Sequence, residues 1–209
     1  MMRIYNTLLN IITKGLIFAN RKLWRVFNKF RFKKLGKNSY ISKHVFLTRS
    51  SISLNENVFV HANARIEGVN LYEGIKYNPE IILDDNCSIQ QNVHITCADR
   101  IYIGKETAIA ANVSITDIHH PYEDINLPIE KQILNVFPVS IGSECKIYNN
   151  VVVLPGTKIG KHCTVGANSI VSGLIPDYCV VVGAPAKIIK RYDFDKKAWL
   201  KTDKEGNFI

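Results

Sequence analysis

The chain has 209 residues, 46% of them hydrophobic and 22% charged, which fits one soluble globular unit with a full core and excludes an intrinsically disordered chain. Five cysteines (Cys87, Cys97, Cys145, Cys163, Cys179) are odd in number and follow no metal-ligand spacing, so they read as free thiols of a reducing compartment. The net charge of +9 is uneven: residues 1–50 hold twelve Lys or Arg and no acid, and the remaining fifteen basic and eighteen acidic residues leave a body of −3.

The basic arm comes first. Ile4, Leu8, Ile11, Ile12, Leu16, Ala19, Leu23, Phe27 and Phe30 recur at steps of three and four, which predicts an amphipathic helix over residues 1–34, or two broken near Gly15 or Asn20. Asn6, Asn10 and Lys14 interrupt it well short of the ~20 apolar residues of a membrane span, and it lacks a signal-peptide core. Two roles fit. One is an interfacial helix making peripheral membrane contact through residues 1–30 on acidic lipid; the other is a helix that caps the body. No nucleic-acid module accompanies the basic residues, so nucleic acid is not the expected partner.

From residue 35 the chain repeats every six residues. Ile141, Ile147, Val153, Ile159, Val165 and Val171 form one unbroken series, and Leu35, Ile41, Leu47, Leu54, Val60, Ile66, Leu83, Ile89, Ile95, Ile103, Ile109 and Ile115 form the earlier ones. Gly often follows the aliphatic residue, and a small or branched residue, Cys87, Cys145 and Cys163 among them, sits four places on. Six residues are too few for a hairpin unit but suit a short strand and a corner. Three such units close a triangle with the aliphatics inside, so the expected fold is an all-β solenoid, a parallel β-helix of about six coils.

The period breaks after Leu47, Ile66, Ile95 and Ile115, each the third unit of its coil, so every insertion leaves from one corner. Two are long, residues 67–82 and 116–140. Insertions on one side of a solenoid build its binding face, and the second contains the stretch "SITDIHHPYED".

The run "VSIGSECKIYNNVVVLPGTKIGKHCTVGANSIVSGLIPDYCVVVGAPAKIIK" resembles the hexapeptide-repeat acyltransferases, specifically the galactoside, maltose and polysaccharide O-acetyltransferase branch. The resemblance covers roughly residues 83–192. It implies a left-handed parallel β-helix, a homotrimer with sites between subunits, and acetyl-CoA as donor without a metal. The division expected is a helical arm at 1–34, a catalytic β-helix at 35–176 and a C-terminal strand and short helix at 177–209.

The resemblance also implies direct acetyl transfer with a histidine as general base, typically one followed by Pro after a strand of the form "IAANVSIT". His120, followed by Pro121, matches; His119 has no assigned role. Asp117 is expected to hold the imidazole, touch the acceptor or form a turn. Gln90 stands where an acceptor-contacting Asn is usual, and the acidic position of "CADRI" is shifted to Asp99. Asn149, Ala167, Ser172, Gly173, Lys187 and Lys190 match CoA-contacting positions along one side of the last coils, the lysines meeting nucleotide phosphates.

His44, His61 and His162 fall in turn or surface slots. His94 resembles a ligand of the zinc-holding β-helix carbonic anhydrases, but their second ligand pair is five residues apart and His119 and His120 are adjacent. Three readings therefore stand beside the preferred one, an O-acetyltransferase acting on a surface polysaccharide or lipid-linked glycan precursor at the inner face of the cytoplasmic membrane. They are a soluble sugar, aminosugar or xenobiotic acetyltransferase, a zinc lyase, and a non-catalytic trimeric scaffold.

Overall fold

The computed structural model describes residues 20–203 and 206–209. Three sheets carry the body. Sheet A has seven strands, from Lys34–Leu35 to Leu174–Ile175; sheet C has six, from Phe46–Leu47 to Ile170–Val171. Sheet B has seven parallel strands, from Tyr40–Ile41 to Cys179–Gly183, and two antiparallel ones beyond them. Successive strands fall on A, B and C in turn, so the chain winds as a triangular solenoid. Register keeps like on like: Ile103 pairs with Ile141, and Ile141 with Ile159. The sixth-residue aliphatics Ile41, Val60, Ile89, Ile109, Ile147 and Val165 are fully buried along one face.

The corners are made by residues that the six-residue count does not single out. Asn38, Asn57 and Asn86 between sheets A and B, and Asn92, Asn112, Asn150 and Asn168 between B and C, all have φ between 57° and 62°. Asparagine tolerates this left-handed region better than other residues with a side chain. Their amides also bond from coil to coil, Asn92 to Asn112 at 3.0 Å, Asn112 to Asn150 at 3.0 Å and Asn150 to Asn168 at 2.9 Å. The glycines have another task. A Cβ at Gly142 would stand 2.6 Å from the Gly160 backbone, so glycine is needed because adjacent coils approach there. Gly142→Ala should therefore cost about 1–3 kcal/mol by overpacking, read as a melting temperature several degrees lower.

All five cysteines are buried and unpaired. Burial pushes the Cys87 thiol up to about 12 and that of Cys179 up to about 11. A thiol-reactive disulfide reagent at mildly alkaline pH should leave the native protein unlabelled and react once denaturant opens the coil; stoichiometric labelling of the native protein would contradict this core.

Residues 20–28 are helical, while the earlier part of the expected arm lies outside the described residues. Trp24 packs on Phe32 and Tyr40 with ring centroids 5.8 and 5.0 Å away. Arg21 lies 4.7 Å from the Phe59 ring centre, and Arg25 donates to the Gly36 and Ser39 carbonyls. The helix is thus fastened over the first coils.

Among the described residues the expected short C-terminal helix is absent. Ala186–Asp193 runs antiparallel to Cys179–Gly183, and Ala198–Lys201 pairs in turn with it. The last parallel strand offers an open row of N–H and C=O groups, and satisfying that edge outweighs local helical preference. The reversal at residues 194–197 is set by the Asp193 carboxylate, which accepts from the Asp195 and Lys196 N–H groups.

Candidate active site

The strands that precede every break, Phe46–Leu47, Arg65–Gly68, His94–Cys97 and Ser114–Thr116, all belong to sheet C, so each insertion leaves from the corner between C and A. The first long insertion is a hairpin: Leu71–Tyr72 pairs with Ile75–Lys76 across Glu73 and Gly74, both at positive φ. The second opens as a ribbon in which Ile118 pairs with Val136 and His119 with Asn135. His119 is therefore held in a ladder, its ring 5.9 Å from that of Tyr122, and His120 is the first residue beyond the pairing.

The two insertions meet at His120. The Tyr72 ring stands edge-on to the imidazole at 5.5 Å, with its hydroxyl 3.4 Å from His120 Nδ1. That hydroxyl donates to the Glu130 carbonyl at 2.6 Å and lies 3.0 Å from Glu130 Oε2. Desolvation, with the Glu130 carboxylate adding to it, raises the phenol above its ordinary range and keeps it protonated. Its one proton is directed at Glu130, so its lone pairs face Nδ1. A neutral imidazole then carries its hydrogen on Nδ1 and leaves Nε2 free to accept. Lys131 and Glu73, 3.0 Å apart, tie the loop tips together. Tyr72 and Glu130 do not stand out in the sequence; the shared exit corner of the two insertions, and an aromatic beside the turn pair Glu73–Gly74, are the signals that lead to them.

Asp117 does not hold the imidazole. It is fully buried, and its carboxylate accepts the N–H of Ala98 at 2.8 Å, the N–H of Asp99 at 2.9 Å and the Cys97 thiol at 3.3 Å. An acidic side chain there satisfies the backbone of the neighbouring coil's corner, which the "CADRI" turn cannot do for itself. Burial and the Asp117 carboxylate push the Cys97 thiol well above the ordinary thiol range. Asp99 is exposed at the same corner as His120. Gln90 lies at the next corner, between sheets B and C.

The six positions expected to contact CoA do not run along one side. Asn149 and Ala167 lie at the B–C corner, and Ser172 and Gly173 at the C–A corner that carries His120. Lys187 and Lys190 are exposed on sheet B, opposite Val182 and Val180. Arg191 pairs opposite buried Cys179, so alternation turns it away from the lysines, toward the Phe208 ring at 5.7 Å. Gly173 has φ +75° and nothing within 4 Å of where a Cβ would stand, so its corner is open. His94 Nε2 lies 3.1 Å from Thr96 Oγ1, and among the described residues no group of three or more His, Cys, Asp or Glu is set to hold a metal ion.

Residues 138–173 match the family model for the bacterial transferase hexapeptide, six repeats. The Escherichia coli protein WbbJ, named for an assignment as a lipopolysaccharide biosynthesis O-acetyl transferase, is 41% identical over 128 residues, 58% of this chain and 65% of its own. Residues 138–173 thus carry the repeat of the hexapeptide transferase family. The Escherichia coli galactoside O-acetyltransferase is 33% identical over 114 residues, 53% of this hexapeptide-repeat chain and 55% of the relative. The chain thus spans between about half and two thirds of the length of these relatives. The fold is shared with AntD, an N-acyltransferase from Bacillus cereus solved with dTDP and 3-hydroxybutyryl-CoA. The TM-score is 0.68 at 18% identity, covering 83% of this chain and 90% of that one.

Proposed function

We propose that the chain is an acetyl-CoA-dependent O-acetyltransferase acting on a sugar hydroxyl of a surface polysaccharide or lipid-linked glycan precursor, met at the inner face of the cytoplasmic membrane. The observation that carries the reading is His120, the first residue beyond the ribbon, with Tyr72 against Nδ1. With the acceptor hydroxyl at Nε2, the imidazole takes its proton as the oxygen attacks the thioester carbonyl. The new C–O bond forms, the C–S bond breaks, and the proton passes to the departing CoA thiolate. The open corner at Ser172 and Gly173, on the same edge as His120, suits a pantetheine arm, and Lys187 and Lys190, on sheet B, suit its phosphates where a neighbouring subunit brings that sheet to the corner.

A homotrimer of left-handed coils with sites between subunits completes the reading. Two features support it. Gln90, Asn149 and Ala167 lie at a different corner from His120, so all would face one substrate pair only across a subunit boundary. Ile125, Leu127, Ile129, Ile133 and Phe137 of the long insertion are exposed, an apolar face that a second copy would cover.

The test is purified protein with acetyl-CoA and a panel of glycan acceptors, followed by release of the CoA thiol and mass analysis of product. An acetyl group removed by mild alkali identifies an ester. An alkali-stable product would move the reading to an aminosugar N-acetyltransferase, and no acetylated product would reject it. Tyr72→Phe should lower kcat by about three- to tenfold, the loss of one hydrogen bond, with KM for acetyl-CoA unchanged. A change confined to KM would remove Tyr72 from the positioning role.

A further inference from the structure

The helix at residues 20–28 presents two faces, and only one is used by the fold. The inner face, Trp24 and Asn28 with Arg21 and Arg25, is fastened to the first coils. The outer face repeats at three- and four-residue steps as Leu23, Val26, Phe27 and, in the turn that follows, Phe30; these side chains are 56%, 66%, 68% and 90% exposed. Lys22 and Lys29 flank that stripe and Arg31 follows it, all exposed, with the Lys29 ammonium 5.6 Å from the Phe30 ring centre. Other nearby cations are engaged internally, Lys33 with Glu80 and Lys34 with Asn55. The first acidic residue of the chain is Glu56.

We propose that this outer face seats on an anionic lipid bilayer, with Leu23, Val26, Phe27 and Phe30 at the boundary between headgroups and acyl chains and Lys22, Lys29 and Arg31 among the lipid phosphates. An apolar stripe between cations, with no acid beside it, fits a surface that offers both hydrocarbon and negative charge. A polynucleotide offers the charge without hydrocarbon for four exposed apolar side chains. A second copy of the same face would set cations against cations. Among the described residues no helix is long and apolar enough to cross a membrane. The capping and lipid roles expected of the arm thereby fall on two faces of one helix. Lys33 joins the segment to Glu80 at 2.7 Å, where the hairpin bearing Tyr72 returns to sheet A, so the lipid face and the site loop are linked by one ion pair.

The surface does not depend on the acetyl-transfer reading, although it names where a lipid-linked acceptor would be met. The full chain should cosediment with vesicles of phosphatidylcholine mixed with phosphatidylglycerol, bind phosphatidylcholine vesicles weakly, and dissociate in high salt. Phe27→Ser/Phe30→Ser, and separately Lys22→Glu/Lys29→Glu, should each weaken binding about tenfold or more with an unchanged circular-dichroism melt, because the side chains are exposed. Absence of binding to the anionic vesicles, equal binding by the phenylalanine variant, or displacement from vesicles by duplex DNA would overturn the proposal. Thiol release from acetyl-CoA with a soluble acceptor, measured on the same preparations, tests the transferase reading separately.

Discussion

Replacing His120 with alanine should lower kcat for acetyl transfer by about 10²–10⁴-fold, the contribution of a positioned general base, and leave the melting temperature near that of the native protein. The imidazole is half-buried beyond the last paired residue of a ribbon, and its principal neighbour is the Tyr72 ring, so no core contact is lost with it. The acceptor hydroxyl would still bind, but nothing at Nε2 would take its proton as the C–O bond forms. KM for acetyl-CoA should therefore change little, because the positions proposed for that substrate lie in later coils. A His119→Ala control should retain activity within a few-fold, since that residue faces Tyr122 rather than the Tyr72 hydroxyl. Equal losses in the two variants would remove the asymmetry on which the assignment rests.

Asp117→Ala should show the opposite pattern, a stability loss of about 3 kcal/mol and a melting temperature lower by roughly 6–12 °C. The carboxylate is fully buried and receives two backbone N–H groups and a thiol from the adjacent coil. Truncation leaves the two backbone N–H groups without an acceptor, and hydrogen bonds to a charged group are among the stronger ones. Asp117→Asn should also be destabilised, because one carboxylate oxygen becomes an NH₂ group set against N–H donors. A normal melt with lowered kcat would return Asp117 to the imidazole. The predicted combination is a lower melt with catalysis following the folded fraction.

Much of this was legible in the sequence because a solenoid writes its core locally. One inward aliphatic per face repeats in sequence as it repeats in space, so Ile141 to Val171 disclose the coil, and breaks after Leu47, Ile66, Ile95 and Ile115 disclose the exit corner. What remained hidden depends on contacts between distant residues. Tyr72 and His120 are 48 positions apart, and Asp117 answers a backbone corner 19 and 18 positions earlier. The strand expected in the C-terminal segment is present, but the short helix is replaced by further strands because an open sheet edge decides the conformation of Ala186–Asp193. The reason for glycine at Gly142 is not local either, since only the stacked coils bring it against the backbone of Gly160.

The most direct test of the central claim is mass spectrometry of surface glycans from cells carrying the native chain or His120→Ala at matched protein levels. Loss of an alkali-labile acetyl group from one glycan in the variant is the result predicted. Identical acetylation in both would contradict the account, and with it the assignment of this corner of the coil as the site of transfer.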